Sequence, residues 1–219
     1  MAAIKFNNYR GVKDLVIAPM TIESSGGTIT ETYGAVIPLA GVQGVSVSED
    51  QGSEEVYYDN GARIAINYEG PAVVTLTVSV VDLETRAKIE GRTWDATKKA
   101  YIGTPAKKGY FALGYKAGTV GDDGDNAEEY RWFYKGKFTG GDTTHNTKAN
   151  NTDSTNVTYT YTAIQPATEY QLTDGKHPAK YAIIPSTHSA AATFFDTVVT
   201  PDKIQVTGRG SSTRQAGRA

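Results

Sequence analysis

The chain has no cysteine. Neither a disulfide framework nor a thiolate metal site is open to it, and stability must come from packing or from contacts between copies. Histidine is scarce: His145, His177 and His188 show no His-x-x-x-His spacing, so a zinc site would need chance convergence and exposed loop positions are the simpler reading. No apolar run is long enough to cross a bilayer, and the opening MAAIKFNNYRG lacks a basic stretch followed by an apolar one. The expectation is a soluble protein made in the cytoplasm, with no membrane partner. Charge of one sign is also missing. With Lys+Arg at 22 against Asp+Glu at 24, and a net charge of −2, the chain has no general affinity for nucleic acid. There is no Gly-x-Ser-x-Gly nucleophile turn and no Gly-rich phosphate cradle between a strand and a helix, and no pair of carboxylates stands out for glycoside chemistry. These absences point away from an enzyme, and no catalytic residue, metal or cofactor is expected.

What the chain does hold is glycine, threonine and tyrosine, with 23 Gly and 14 Tyr. Thr and Tyr suit pleated, half-buried surfaces, and 219 residues suffice for one β-rich domain. Val12 to Met20, containing DLVIAP, fits a strand, and the polar ESSGGTITE after it reads as a loop. From Tyr33 a strand is interrupted at Pro38, followed by spaced Val42, Val45 and Val47. The acidic EDQGSEEVYYDNG ends in Asn60-Gly61, the strongest hairpin signal in the chain, and Ile64 and Ile66 alternate in the strand beyond it. From Ala72 to Val81, Val74, Leu76, Val78 and Val80 face one way and Thr75, Thr77 and Ser79 the other. A short helix should then turn the chain, with Asp82 as N-cap, a Glu84–Lys88 pair and Gly91 as the stop.

Three more strands are predicted, around Tyr110 to Tyr115, Tyr130 to Phe138 and Val157 to Ile164, the last two able to pair. Tyr130, Trp132, Tyr134 and Phe138 share one parity, against Arg131, Lys135 and Lys137, with Phe133 as the exception. Aromatics beside Arg and Lys would suit a nucleic-acid surface, but filling a core while the lysines snorkel is the simpler expectation. The acidic GDDGDNAEE is oxygen-rich, but its glycines are misplaced for a calcium loop, so a solvated turn is expected. Near the end, Ala191, Phe194, Phe195 and Val198 fall at i, i+3, i+4 and i+7, with Ser189 as cap and Pro201 as stop, which predicts a short amphipathic helix. The organisation is a single domain over residues 1–201 with a long loop at 140–154, and a flexible, arginine-containing tail over 202–219. No fixed-period repeat is visible.

Taken in order, these pieces resemble the major tail (tail tube) proteins of long-tailed bacteriophages, the phi13-type and lactococcal-type subunits of siphophages in particular. The likeness runs from about Leu15 to Pro201. It is carried by DLVIAPMT, GVQGVSVSEDQGSEEVYYDNG, VVTLTVSVVDLETRAKIEG, the pair YFALGYKAG and EYRWFYKGKF, and AAATFFDTVVTPD. The resemblance implies a mainly β fold, a β-sandwich or barrel-like tail tube domain with one or two short helices. It also implies hexameric rings stacked into a virion tube, with tape measure and tail tip or terminator proteins as partners. DNA would pass through the lumen without specific binding. A lumen should repel DNA, because fixed cations would hold phosphates; the acidic block Glu49, Asp50, Glu54, Glu55 and Asp59 is therefore the candidate lumen or inter-ring surface, a solvated hairpin loop being the alternative. The rival function is a receptor- or carbohydrate-binding β-sandwich module of a virion or cell surface.

Overall fold

Alternating β-branched and aromatic residues put most of the chain into strands. The computed structural model describes residues 7–39, 41–58, 61–121, 124, 126–143 and 156–204. The first strands are β1 (Asn7–Ser25), β2 (Thr28–Tyr33), β3 (Ile37–Leu39), β4 (Val42–Tyr58) and β5 (Gly61–Val78). Helix α1 (Leu83–Glu90) leads to β6 (Thr93–Asp95), β7 (Ala100–Ile102), β8 (Tyr110–Gly121) and β9 (Asn126–Asp142). Then come β10 (Val157–Ala163), β11 (Tyr170–Leu172), β12 (Gly175–His177) and β13 (Tyr181–Pro185), followed by 3-10 turns at Ala191–Thr193 and Pro201–Lys203. The fold is mainly β and sandwich-like. Its main sheet is ordered β2-β1-β8-β9-β10-β5-β4, with β3 added to β1 and β13 to β9. Among the described residues no helix is long and apolar enough to cross a membrane.

Both faces of the central strands are buried, which explains why DLVIAP has no polar alternation. Leu15 and Ile17 enter one core with Val74, Leu76, Phe133, Phe138 and Tyr161, while Val16 and Ala18 enter a second with Trp132, Tyr134, Ile184, Phe194 and Val198. The expected one-sided grouping of Tyr130, Trp132, Tyr134 and Phe138 is therefore corrected: Phe138 faces the first core and Trp132 and Tyr134 the second. The cause is a bulge. Leu113 pairs with Phe133 but Phe111 pairs with Gly136, so β9 gains a residue and its alternation flips. A Cβ on Gly136 would stand 2.4 Å from the Tyr161 ring, so the flip has room only for glycine. The aromatics of this strand fill cores, Lys135 is paired with Glu31 at 2.6 Å, and Lys137 lies over the Tyr110 ring. No base-stacking row is left on it.

The helix α1 forms where expected. Asp82 Oδ1 accepts a hydrogen bond from the Thr85 N–H at 2.9 Å, Lys88 pairs with Glu84 at 2.8 Å, and Gly91 closes the helix at φ 67°. Two local expectations are overturned. ESSGGTITE is a hairpin, not a loop: Ser25 pairs with Thr28 around Gly26 and Gly27, both at positive φ, as a type I′ turn requires. The 189–201 segment is no amphipathic helix but a 3-10 turn at Ala191–Thr193 whose N-cap, Ala190, makes no side-chain cap bond. Its spacing still buries Ala191, Phe194 and Val198, but the β-branched run Thr197-Val198-Val199-Thr200 opposes helix propagation. Trp132 Nε1 donates to the Phe194 carbonyl at 2.8 Å and the Tyr134 hydroxyl to the Val199 carbonyl at 3.0 Å, which pins the segment to the sheet. Pro201 starts a turn where a stop was expected, and Ile204 packs on the second core.

Candidate assembly surface

The β4–β5 hairpin divides into two parts. From Val42↔Val78 to Glu49↔Ala72 it lies in the sheet, with β10 on the other side of β5 over Ala72 to Val78. From Gln51↔Glu69 to Tyr58↔Gly61 the two strands pair, among the described residues, only with each other. This is a two-stranded arm about 25 Å long at the usual rise per strand residue. Its last described pair is Tyr58↔Gly61; residue 60 of the expected Asn60-Gly61 turn lies, with residue 59, outside the described residues.

The root of the arm is a bulge with a physical cause. Between Glu49 and Gln51 stands one residue, Asp50, whereas between their partners Ala72 and Glu69 stand two, Gly70 and Pro71. Pro71 has no N–H to give a ladder, so a bulge is where it fits. The extra residue reverses the facing of β5. Val74, Leu76 and Val78 face the core, yet Ile64, Ile66 and Tyr68, of the same parity, turn to the opposite side. They are 50%, 54% and 56% exposed. The Tyr68 ring lies across Gly52, where a Cβ would come within 2.3 Å of it. Lys180 holds the root: its Nζ donates to Gly70 O at 2.9 Å, pairs with Glu69, and lies 3.8 Å from Glu49 Oε1.

The acids expected to form one surface are split by this geometry. Glu49 sits at the root, half-buried, accepting from Gln51 Nε2 at 2.9 Å. Asp50 is exposed at the bulge; Glu54 is exposed on the face with Ile64 and Ile66; Glu55 is on the opposite face, accepting from the Tyr57 hydroxyl at 2.9 Å. Asp59 lies outside the described residues. The apolar row Ile64-Ile66-Tyr68 is the feature that alternation alone misses, and the Gly70-Pro71 pair is the signal for it.

β4 also ends the sheet: it pairs with β5 on one side and with no strand on the other among the described residues. Beside it runs a cleft of about 360 Å³ between Val47 and Glu49 on β4 and Arg131, Phe133, Tyr181 and Ile183 on β9 and β13. A larger cleft of about 670 Å³ lies elsewhere, lined by Glu31, Tyr33, Tyr170 and Asp202. It is walled by structural bonds: Glu31 takes Lys135 and the N–H groups of Ala167 and Thr168, and the Tyr33 and Tyr170 hydroxyls meet at 3.3 Å. Burial raises the pKa values of both tyrosines above the ordinary phenol value, so neither is poised as a base.

The other candidates lie apart. His177 is 3.5 Å from Asp174, His188 Nδ1 accepts from the Ala190 N–H at 3.1 Å, and His145 is outside the described residues. Within GDDGDNAEE, Glu128 pairs with Lys13 and Glu129 with Arg131, while 122, 123 and 125 are outside the described residues. In the expected long loop, 140–142 belong to β9 and 144–154 lie outside the described residues, as do 205–219 of the tail. The chain matches no family model and no curated protein.

Proposed function

We propose that this chain is a structural subunit that works by self-association, forming hexameric rings that stack into the tail tube of a long-tailed bacteriophage, and that it is not an enzyme. The observation that carries this reading is the arm: a two-stranded ribbon with an exposed apolar row, beside a sheet whose last strand, β4, has one margin without a partner strand among the described residues. An isolated two-stranded ribbon is marginal in water, and an unpaired strand margin is a template for a further chain. Both are resolved by a second copy. The resemblance of the sequence supplies the type of assembly, with tape measure and tip or terminator proteins as the other components and DNA passing through the channel.

Negative-stain microscopy of the purified protein tests the reading. Rings or tubes are expected. Compact monomers or trimers that retain glycans on an array would overturn it in favour of a receptor- or carbohydrate-binding module.

A further inference from the structure

We propose that the cleft between β4 and the β9–β13 pair of one copy is the receptor for the arm of a second copy. This deepens the self-association reading and rests on it.

The cleft is a site with unmet bonding. Among the described residues, two buried side-chain polar atoms have no hydrogen-bond partner, Glu49 Oε1 and Arg131 Nε, and both residues line this one cleft. Lys180 Nζ, at 3.8 Å, is too far from Glu49 Oε1 for a hydrogen bond. A buried donor and a buried acceptor without a hydrogen bond are costly even with the Lys180 ammonium near the acceptor, and they suit an occupant that carries one of each. The walls call for an apolar one: Val47, Tyr181 and Ile183 are 38%, 39% and 42% exposed. Through Val47 and Arg131 the cleft continues into a neighbouring one of about 290 Å³ beside Val12, Val45 and Tyr115. The two clefts together offer more room than the first alone.

The arm has the complementary chemistry. Its apolar face presents Ile64, Ile66 and Tyr68, with Glu54 directly opposite Ile66 in the ladder. Glu54 supplies an acceptor for Arg131 Nε, the Tyr68 hydroxyl a donor for Glu49 Oε1, and the isoleucines the apolar contact with Tyr181 and Ile183. A chain's own arm does not serve its own cleft, because the Gly70-Pro71 bulge turns this face away from the side that carries Glu49 and Glu69. Arm and cleft are different surfaces, so each copy that receives an arm still offers its own. Such a contact propagates, closing into a ring or running on as a filament.

The lack of native cysteine makes a clean test possible. Ile66→Cys and Ile183→Cys are made separately in the full chain, mixed, and treated with a short bismaleimide, while the same samples are imaged. A covalent heterodimer at least tenfold above either variant alone is expected. Adding Glu54→Gln to the first variant should lower it several-fold, and adding Tyr181→Ser to the second likewise; both side chains are exposed, so folding is retained. Rings or tubes without the cross-linked heterodimer would overturn the arm–cleft contact and leave self-association standing. The heterodimer in small oligomers without rings or tubes would support the contact and overturn the tube. Monomers with no cross-link would overturn both.

Discussion

Replacing Ile64 and Ile66 together by Thr isolates the arm's contribution to assembly. Both side chains are about half exposed in the free subunit, at 50% and 54%. Fully burying an isoleucine is worth about 1.5–3 kcal/mol, so covering the remaining half is worth about 1 kcal/mol each. Two of them lose about 2 kcal/mol per contact, which corresponds to roughly a 30-fold weaker association constant. Threonine keeps the β-branching, so the ribbon itself should persist and the subunit's unfolding midpoint should move little. Sedimentation velocity and light scattering over a dilution series give the critical concentration, and a denaturant titration gives the subunit's stability. An unchanged critical concentration with normal unfolding would remove the apolar row from assembly. A large drop in stability would show instead that these residues are packed within one copy.

Three further outcomes are expected. Gly136→Ala should destabilise the subunit by about 1–3 kcal/mol or more, because the new methyl meets the Tyr161 ring at 2.4 Å and Thr162 O at 2.5 Å; Gly103→Ala, with nothing within 4 Å, is the neutral control in the same chemical denaturation. Lys135→Met should cost about 3–5 kcal/mol by stranding the buried Glu31 carboxylate, and Lys135→Met with Glu31→Gln should recover part of it in a double-mutant cycle. Burial alone would favour neutral Glu31, but the Lys135 ammonium and the Ala167 and Thr168 donors outweigh it and hold the carboxyl below its usual range. Its contribution is therefore present above the unfolded-state value of about 4.3 and is lost as pH falls through the lower folded value, which denaturant midpoints from pH 7 to pH 3 will show as a slope that Glu31→Gln flattens.

Local signals with a single cause are legible in the sequence. Asp82, the Glu84–Lys88 pair and Gly91 each satisfy a helix terminus through atoms within one turn, so the residues alone are enough. The same holds for the alternation of Val74, Leu76 and Val78, but it stops with the strand: Val80, expected on the same face, lies beyond β5 and is 68% exposed. What escapes a sequence reading depends on partners. Gly26-Gly27 reads as a loop because nothing local shows that β1 extends past Met20 to meet it. The spacing of Ala191, Phe194 and Val198 identifies the right buried face, but the chain between them is held by bonds from Trp132 and Tyr134, residues of a distant strand. The acidic block looks like one surface when charge is counted along the chain, whereas in a strand alternate residues face opposite ways.

The bulges explain the rest, and they connect fold to function. One at β9 turns Phe138 into the first core while Trp132 and Tyr134 stay in the second, so a single strand ties both cores together. One at the arm root does the reverse, carrying an apolar row that began as core out to the surface. A period-2 pattern read through either point assigns every later side chain to the wrong face. Yet both points are marked by residues that strands otherwise avoid, Gly136 in one case and Gly70-Pro71 in the other. Such residues inside a strong alternation are better taken as facing reversals than as breaks. At the arm root that choice decides whether Ile64, Ile66 and Tyr68 count as interior of one copy or as contact for the next.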